Sequence, residues 1–192
     1  MKRELARLAD TTFDVVVVGG GIYGAAIARE ASLRGLAVAL VEKGDFASAT
    51  SSNSHKIVHG GLRYLQHGDL FRVRASIRER SALLRIAPHL VRVQSFLMPT
   101  YGHGLRGREA LVAALSLNEL LSFDRNRGLD RSRQIPPARM LSATECLRLA
   151  PGIPREGLTG GALWYDGLMI DSERVVLAFL MSAAEKGAVL EN

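Results

Sequence analysis

FDVVVVGGGIYGAAIAREASLRGLAVALVE, residues Phe13 to Glu42, is the stretch from which the fold is read. Val15 to Val18 form a continuous β-branched run, which predicts a buried parallel strand rather than a half-exposed one. The run leads into Gly19-Gly20-Gly21-Ile22-Tyr23-Gly24, a G-x-G-x-x-G with glycines at 19, 21 and 24. A helix is predicted from Ile22 to about Arg34, closed by Gly35. A second apolar strand, Leu36 to Val41, ends on Glu42.

Each part has a physical role in gripping a dinucleotide. Gly19 allows the tight turn, Gly21 lets backbone amides reach a pyrophosphate, and Gly24 lets the helix pack against the strand. The helix N-terminus offers unpaired donors and a partial positive charge. Glu42 is placed to accept both hydroxyls of an adenosine ribose, and its charge disfavours a 2′-phosphate. Glycine clusters also mark ordinary turns. Here the strand before, the helix after and an acid 23 residues past the first glycine point to a binding site.

The bulk composition bounds the class. The chain has 192 residues, 47% hydrophobic and 23% charged, as in an ordinary globular protein of one domain or slightly more. No apolar stretch reaches the length of a membrane-spanning helix. The N-terminus MKRELARLADTT has no secretory apolar core. Cys146 is the one cysteine, so no internal disulfide or cysteine-built metal site is expected, and a cytoplasmic setting follows. The net charge of +6 is uneven: residues 55 to 140 hold 15 Lys/Arg against 6 Asp/Glu. Such a surplus suits an anionic partner, although a solvated arginine face is the preferred reading for most of it.

The second informative stretch is KGDFASATSSNSHKIVHGGLRYLQHGD, residues 43 to 69, predicted as a long loop. Thr50, Ser51 and Ser52 offer hydroxyls and backbone donors suited to a phosphate or a ribityl chain. Lys56 and His59 add donors, and Gly60-Gly61 permits close approach to a flat ring. Arg63 is suited to bidentate recognition of phosphate or carboxylate, with the Tyr64 hydroxyl beside it.

G-G-G-I-Y-G, R-G-L-A-V-A-L-V-E-K-G-D-F and A-T-S-S-N-S-H-K-I-V-H-G-G-L-R-Y-L together resemble the FAD-dependent glycerol-3-phosphate dehydrogenase family, within the wider group of D-amino-acid-oxidase-type flavin oxidoreductases. The H-G-G-L-R-Y-L string is the most specific part. The resemblance continues through E-R-x-x-L-L-x-x-A-P-H-L and returns at G-L-x-G-G-A-L-W-Y-D and S-E-R-V-V-L-A. It implies an α/β fold: a Rossmann-like FAD-binding domain with inserted helical and β segments toward a substrate domain, ending before its sheet is complete. Residues 1–90 would begin the FAD-binding domain, 91–170 form the insertion, and 171–192 return to the next Rossmann strand.

By the same resemblance, Gly19, Gly21 and Gly24 hold the FAD pyrophosphate and Glu42 the ribose. Thr50, Ser51, Ser52 and Lys56 line the flavin end, with His59 as a further cofactor contact. Arg63 and Tyr64 face the substrate. His55 departs from the serine usual in the family. The implied activity is oxidation of sn-glycerol 3-phosphate to dihydroxyacetone phosphate, with electrons passed to a quinone or another acceptor. No catalytic base is assigned and no metal is expected. The 192-residue chain is expected to be an N-terminal portion of a longer homo-oligomeric enzyme, binding FAD weakly or not at all by itself and inactive alone. Peripheral docking on the inner face of the cytoplasmic membrane is a further expectation.

Rival readings are a related flavin oxidoreductase acting on another hydroxy acid or amine, a nicotinamide dehydrogenase, and a non-catalytic basic module for nucleic acid or a membrane surface. The hydroxyl-rich loop after Glu42 favours FAD over nicotinamide. The aromatic interleaving of a single-strand binder is missing.

The remaining elements follow from periodicity and caps. Residues 1–12 give a short lead-in helix. Asp69 caps a helix with Leu70, Val73, Ile77, Ser81 and Leu84 on one face and Arg72, Arg74, Arg78, Arg80 and Arg85 on the other. Val91 to Met98 is a strand, Gly102 to Gly107 a loop, Arg108 to Phe123 an amphipathic helix, and residues 124 to 139 a polar connector. Ser142-x-x-Glu145 is a capping box opening a short helix, on which Cys146 is a buried structural thiol. Gly157 to Leu168 is read as a strand pair. Asp171 or Ser172 then caps a helix from Glu173 to Lys186 that is apolar nearly all round and so buried. A further strand begins at Ala188.

Overall fold

The computed structural model describes residues 4–104 and 107–192. Two compact units emerge: Met1–Lys56 with Met169–Asn192, and Ile57–Leu168.

The first unit contains the decisive stretch. After helix α1 (Leu5–Asp10), strand β1 (Val15–Val18) enters the glycine turn, helix α2 (Ile22–Leu33) follows, and strand β2 (Val38–Val41) lies parallel to β1 with Val17 opposite Leu40. α2 stops as expected. The Gly35 amide donates to the Ser32 carbonyl at 3.0 Å and the Leu36 amide to Ala31 at 3.2 Å, a Schellman pair.

The unit's later residues form helix α6 (Ser172–Glu185) and strand β7 (Val189–Glu191). β7 pairs parallel with β2, so the strand order is β1-β2-β7. The strand predicted from Ala188 is therefore a neighbour of β2 in the same parallel sheet. Asp171 rather than Ser172 caps α6, its carboxylate accepting from the Arg174 amide at 3.1 Å. α2 and α6 pack together through Ala25, Ala28, Val176, Leu180 and Ala183 over Val17, Val38, Leu40 and Leu190.

Two burial expectations fail in this unit. β1 is covered on one face only, and Val16 and Val18 are 60% and 84% exposed. Both helices pack over Val17, the alternate residue of the pleat, so the continuous valine run does not mean two covered faces here. α6 is likewise not buried all round: Met181 lies on its open side, 53% exposed.

The second unit is an antiparallel sheet with helices. Strand β3 (Ile57–Val58), a 3-10 turn (Leu62–His67), helix α3 (Leu70–Ile86), strand β4 (Val91–Tyr101) and helix α4 (Arg108–Leu121) come first. Strand β5 (Arg139–Leu141), helix α5 (Ala143–Leu149) and strand β6 (Leu158–Met169) complete it. β6 runs between β3 and β4, and β5 also pairs with it. Residues 157–168, read as a strand pair, are thus mostly one long strand. Gly160 and Gly161 lie inside the ladder, with Leu141 opposite Gly161. Their missing side chains serve close approach: a Cβ on Gly161 would lie 2.7 Å from the Met98 carbonyl oxygen and from Cys146 Sγ. Two residues of the loop expected from Gly102 to Gly107, at 105 and 106, lie outside the described residues, as do residues 1–3 of the lead-in helix.

α3 begins where Asp69 accepts from the Arg72 amide at 3.0 Å. The capping box of α5 is complete: Ser142 Oγ accepts from the Glu145 amide at 3.2 Å, and Glu145 accepts from the Ser142 amide at 2.8 Å. Ser142→Ala therefore removes one half of a reciprocal cap. The expected loss is about 1 kcal/mol, read as a lower urea midpoint at unchanged slope. Cys146, fully buried on α5, has its thiol pushed up by burial, consistent with an inert structural role.

Candidate cofactor and substrate site

The candidate cofactor residues of the first unit gather at the N-terminus of α2. Gly19 has φ +110°, a conformation side-chain-bearing residues avoid, and this turns the chain sharply out of β1. A Cβ on Gly24 would collide with the Gly19 carbonyl oxygen, so the α2–β1 approach requires glycine there. Gly20, the unassigned middle position of the motif, is also crowded: its Cβ would lie 2.5 Å from Phe46 Cδ1 and 3.1 Å from Glu42 Cβ. The motif alone does not reveal this, because the crowding comes from Phe46, far along the chain.

Glu42 stands against the turn. Its Oε2 accepts from the Gly20 amide at 2.7 Å and its Oε1 from the Gly44 amide at 2.9 Å. These bonds, the Gly20 one foremost, hold its carboxyl below the usual range. Each oxygen keeps a second lone pair for a hydroxyl donor. Ser51 Oγ accepts from the Ile22 amide at 2.9 Å, so the hydroxyl braces the helix N-terminus and keeps its own proton to donate. The amides of Tyr23 and Gly24, in the first turn of α2, have no intrahelical acceptor and point out of the helix end.

The other cofactor candidates are spread along the following loop. Thr50 is exposed, while the Ser52 hydroxyl donates to the Ala49 carbonyl at 2.8 Å. Lys56 has φ +58°, held where its carbonyl accepts from the Met169 amide at 2.7 Å. Its ammonium lies 3.8 Å from the Glu173 carboxylate. A non-glycine residue in that conformation costs on the order of 1 kcal/mol, and such strain clusters at binding sites.

In the second unit, Gly61 (φ +84°) starts the 3-10 turn that carries Arg63 and Tyr64. The Gly61 amide donates to His59 Nδ1 at 3.2 Å, and the His59 and Tyr64 rings meet edge to face at 5.7 Å. Tyr64 also lies under the Arg72 guanidinium at 5.8 Å. Arg63 is exposed and makes no hydrogen bond or ion pair among the described residues. The arginine–tyrosine pair is therefore a supported tyrosine beside a free guanidinium.

One buried ion pair departs from the reading by periodicity. Arg80, placed on the solvent face of α3, is buried at 2% exposure and pairs with Asp166 of β6 at 6%. Its spacing was the available signal: position 80 lies three after Ile77 and four before Leu84, on the buried stripe itself. Among the described residues there is no cluster of His, Cys, Asp and Glu suited to a metal, and no helix long and apolar enough to cross a membrane.

Several carboxylates share the behaviour of Glu42. Amide donors hold Glu145 and Asp171 below their usual range, and the Arg74 guanidinium does the same for Asp124. A group whose folded pKa is depressed stabilises the fold above its unfolded pKa, and that stability is lost as pH falls through the folded value. Unfolding midpoints should therefore hold steady from about pH 7 to 5 and fall below about pH 4. A urea midpoint that stays flat or rises down to about pH 3 would contradict this.

A parallel βαβ start, a glycine turn against a helix N-terminus and an acid at the tip of the second strand define a dinucleotide-binding α/β protein. The chain belongs to the FAD dependent oxidoreductase family, whose model matches residues 14–192. It is similar to a glycerol-3-phosphate dehydrogenase of Synechocystis, 40% identical over 190 residues, covering 99% of this chain and 33% of that protein. It is also similar to glycerol-3-phosphate dehydrogenase 1 of Mycobacterium bovis, 45% identical over 192 residues, covering 96% of this chain and 36% of that protein. The chain thus spans about a third of the length of these relatives. Among solved structures, it superimposes on the glycerol-3-phosphate dehydrogenase from Bacillus halodurans complexed with FAD. That match has a TM-score of 0.67 at 28% identity, covering 97% of this chain and 27% of that one.

Proposed function

We infer that this chain carries FAD-binding and substrate-facing parts of an enzyme that oxidises sn-glycerol 3-phosphate to dihydroxyacetone phosphate and passes the electrons to a quinone or another acceptor. The observation that carries this is the H-G-G-L-R-Y-L segment. There a free guanidinium at Arg63 stands one residue from a braced tyrosine, in a chain at least 40% identical to glycerol-3-phosphate dehydrogenases.

The donor set fits FAD. The Gly19–Gly24 turn has no room for a Cβ where the chain approaches most closely. The Gly21, Tyr23 and Gly24 amides would hold the diphosphate, with Glu42 taking the adenosine ribose hydroxyls. Thr50, Ser51, Ser52, Lys56 and His59 would hold the remainder. When bound, the flavin supplies the two-electron acceptor that removes hydride from the substrate carbon. The protein's part is to bind and orient. Arg63 would pair with the phosphate through two parallel N–H donors, and the Tyr64 hydroxyl would bond the same group or an adjacent hydroxyl. The surplus of Lys and Arg between residues 55 and 140 would draw in the dianionic substrate and favour peripheral contact with anionic lipid.

The test is a comparison of substrates by an FAD-loaded enzyme of the relatives' full length that carries this chain as its N-terminal part, with an artificial electron acceptor. Turnover with sn-glycerol 3-phosphate well above that with lactate, glycine or sarcosine is expected. A preference for an amine would support the related amine-oxidising class instead.

A further inference from the structure

The buried pair Arg80–Asp166 is absorbed by none of the roles above, and its bonds converge on one amide. Asp166 Oδ1 accepts from the Gly60 amide at 2.7 Å and from the Arg80 guanidinium. Asp166 Oδ2 accepts from the Trp164 indole at 3.1 Å, and Arg80 Nη1 donates to the Tyr165 carbonyl at 3.2 Å. A Cβ on Gly60 would run into the Arg80 guanidinium, with Cζ at 2.7 Å. Next along the chain, a Cβ on left-handed Gly61 would lie 3.0 Å from Val73 Cα of α3. Three residues after Gly61, the Tyr64 amide donates back to the Gly61 carbonyl at 2.8 Å and closes the turn that carries Arg63. β3, just before, is paired to β6 with Val58 opposite Gly167.

A buried ion pair is a poor source of stability, since desolvation offsets much of the attraction. Burial here pulls the Arg80 guanidinium down from its usual range while the Asp166 carboxylate pushes it back. What the pair does supply is a fixed acceptor for a backbone amide at the base of the turn.

We propose that Asp166, oriented by Arg80, is a positioning residue: it anchors the Gly60 amide and so sets where Arg63 and Tyr64 stand for the substrate. This rests on the reading of Arg63 and Tyr64 as substrate-facing. The arrangement separates two roles that a single truncation would confuse. Replacing Arg80 by an apolar residue of similar length together with a neutral residue of similar size at 166 removes both charges, and whether the Gly60 acceptor survives then depends on position 166 alone.

The experiment compares two double variants of an FAD-loaded enzyme of the relatives' full length carrying this chain, Arg80→Met with Asp166→Asn and Arg80→Met with Asp166→Leu. The first keeps an acceptor for Gly60 and the second removes it. The Leu variant leaves both the Gly60 amide and the Trp164 indole without an acceptor, so its urea midpoint should be the lower of the two. The Leu variant alone should show Gly60 amide exchange faster by on the order of 100-fold. It alone should also show a KM for sn-glycerol 3-phosphate raised about tenfold with kcat changed less than about twofold. The environment of Trp164, the sole tryptophan, should change its emission in both. Equal Gly60 exchange or equal KM in the two variants would overturn the proposal. So would failure of both to fold, which would assign the pair to the scaffold. If the unaltered full-length enzyme does not oxidise glycerol 3-phosphate, the proposed function falls, while the exchange measurement still decides whether Asp166 anchors the turn.

Discussion

In an enzyme of the relatives' full length carrying this chain, Gly24→Val should abolish flavin retention and lower the stability of the first unit by about 3 kcal/mol or more. Even the Cβ of alanine at this position has no space, because it points at the Gly19 carbonyl oxygen, which is backbone and has no rotamer through which to yield. The added valine carbons would also press on Val17, whose Cγ1 already lies 3.3 Å from the Cβ position. α2 must move off β1, and its first-turn amides move with it, away from the glycine turn they share. Gly20→Ala provides the contrast. Its Cβ meets the ring of Phe46 and the Glu42 side chain, both of which can shift, so a smaller loss of about 1 kcal/mol is expected. Urea midpoints together with visible flavin absorbance after purification measure both effects. A Gly24→Val protein with full flavin content would refute the α2 N-terminus as the diphosphate site.

In the same full-length enzyme, Arg63→Ala should lower kcat/KM for sn-glycerol 3-phosphate on the order of 10²- to 10³-fold while leaving unfolding midpoints within about 0.5 kcal/mol. The two halves of that expectation have one cause. Arg63 is exposed and bonded to nothing among the described residues, so its removal costs the fold little. Two charge-assisted hydrogen bonds to a phosphate, at about 1.5–3 kcal/mol each, disappear with it. Arg63→Lys should recover only part of the loss, since an ammonium cannot present two parallel donors. Steady-state kinetics with sn-glycerol 3-phosphate and with unphosphorylated glycerol separate the roles. Equal losses for both substrates would remove the phosphate from the account of Arg63.

Much of the first unit was legible because its signals are local. A strand running into glycines, a helix with a capping glycine and a strand ending on an acid each follow from a few adjacent residues. The N-cap at Asp69 and the capping box at Ser142 are local in the same sense and form as read, and at the last helix, where Asp171 and Ser172 both qualify, the structure selects Asp171. The H-G-G-L-R-Y-L string was legible as a place of unusual chemistry, though not in its conformation. The 3-10 turn there depends on left-handed Gly61 packed against Val73 of α3.

By itself, then, the sequence determined a βαβ start with a dinucleotide-type glycine turn, the helices that begin at capping residues, and the family to which the chain belongs. Only the tertiary structure decided which faces are covered: Val16 and Val18 lie open beside buried Val17, and Gly160, Gly161 and Gly167 sit in a continuous strand. Helical spacing puts position 80 on the buried stripe of α3, but tertiary structure alone supplies its partner, Asp166, 86 residues away. The physical reason is separation along the chain. A cap or a turn is set by neighbours within a few residues, whereas burial of a charge is set by a partner that periodicity cannot name.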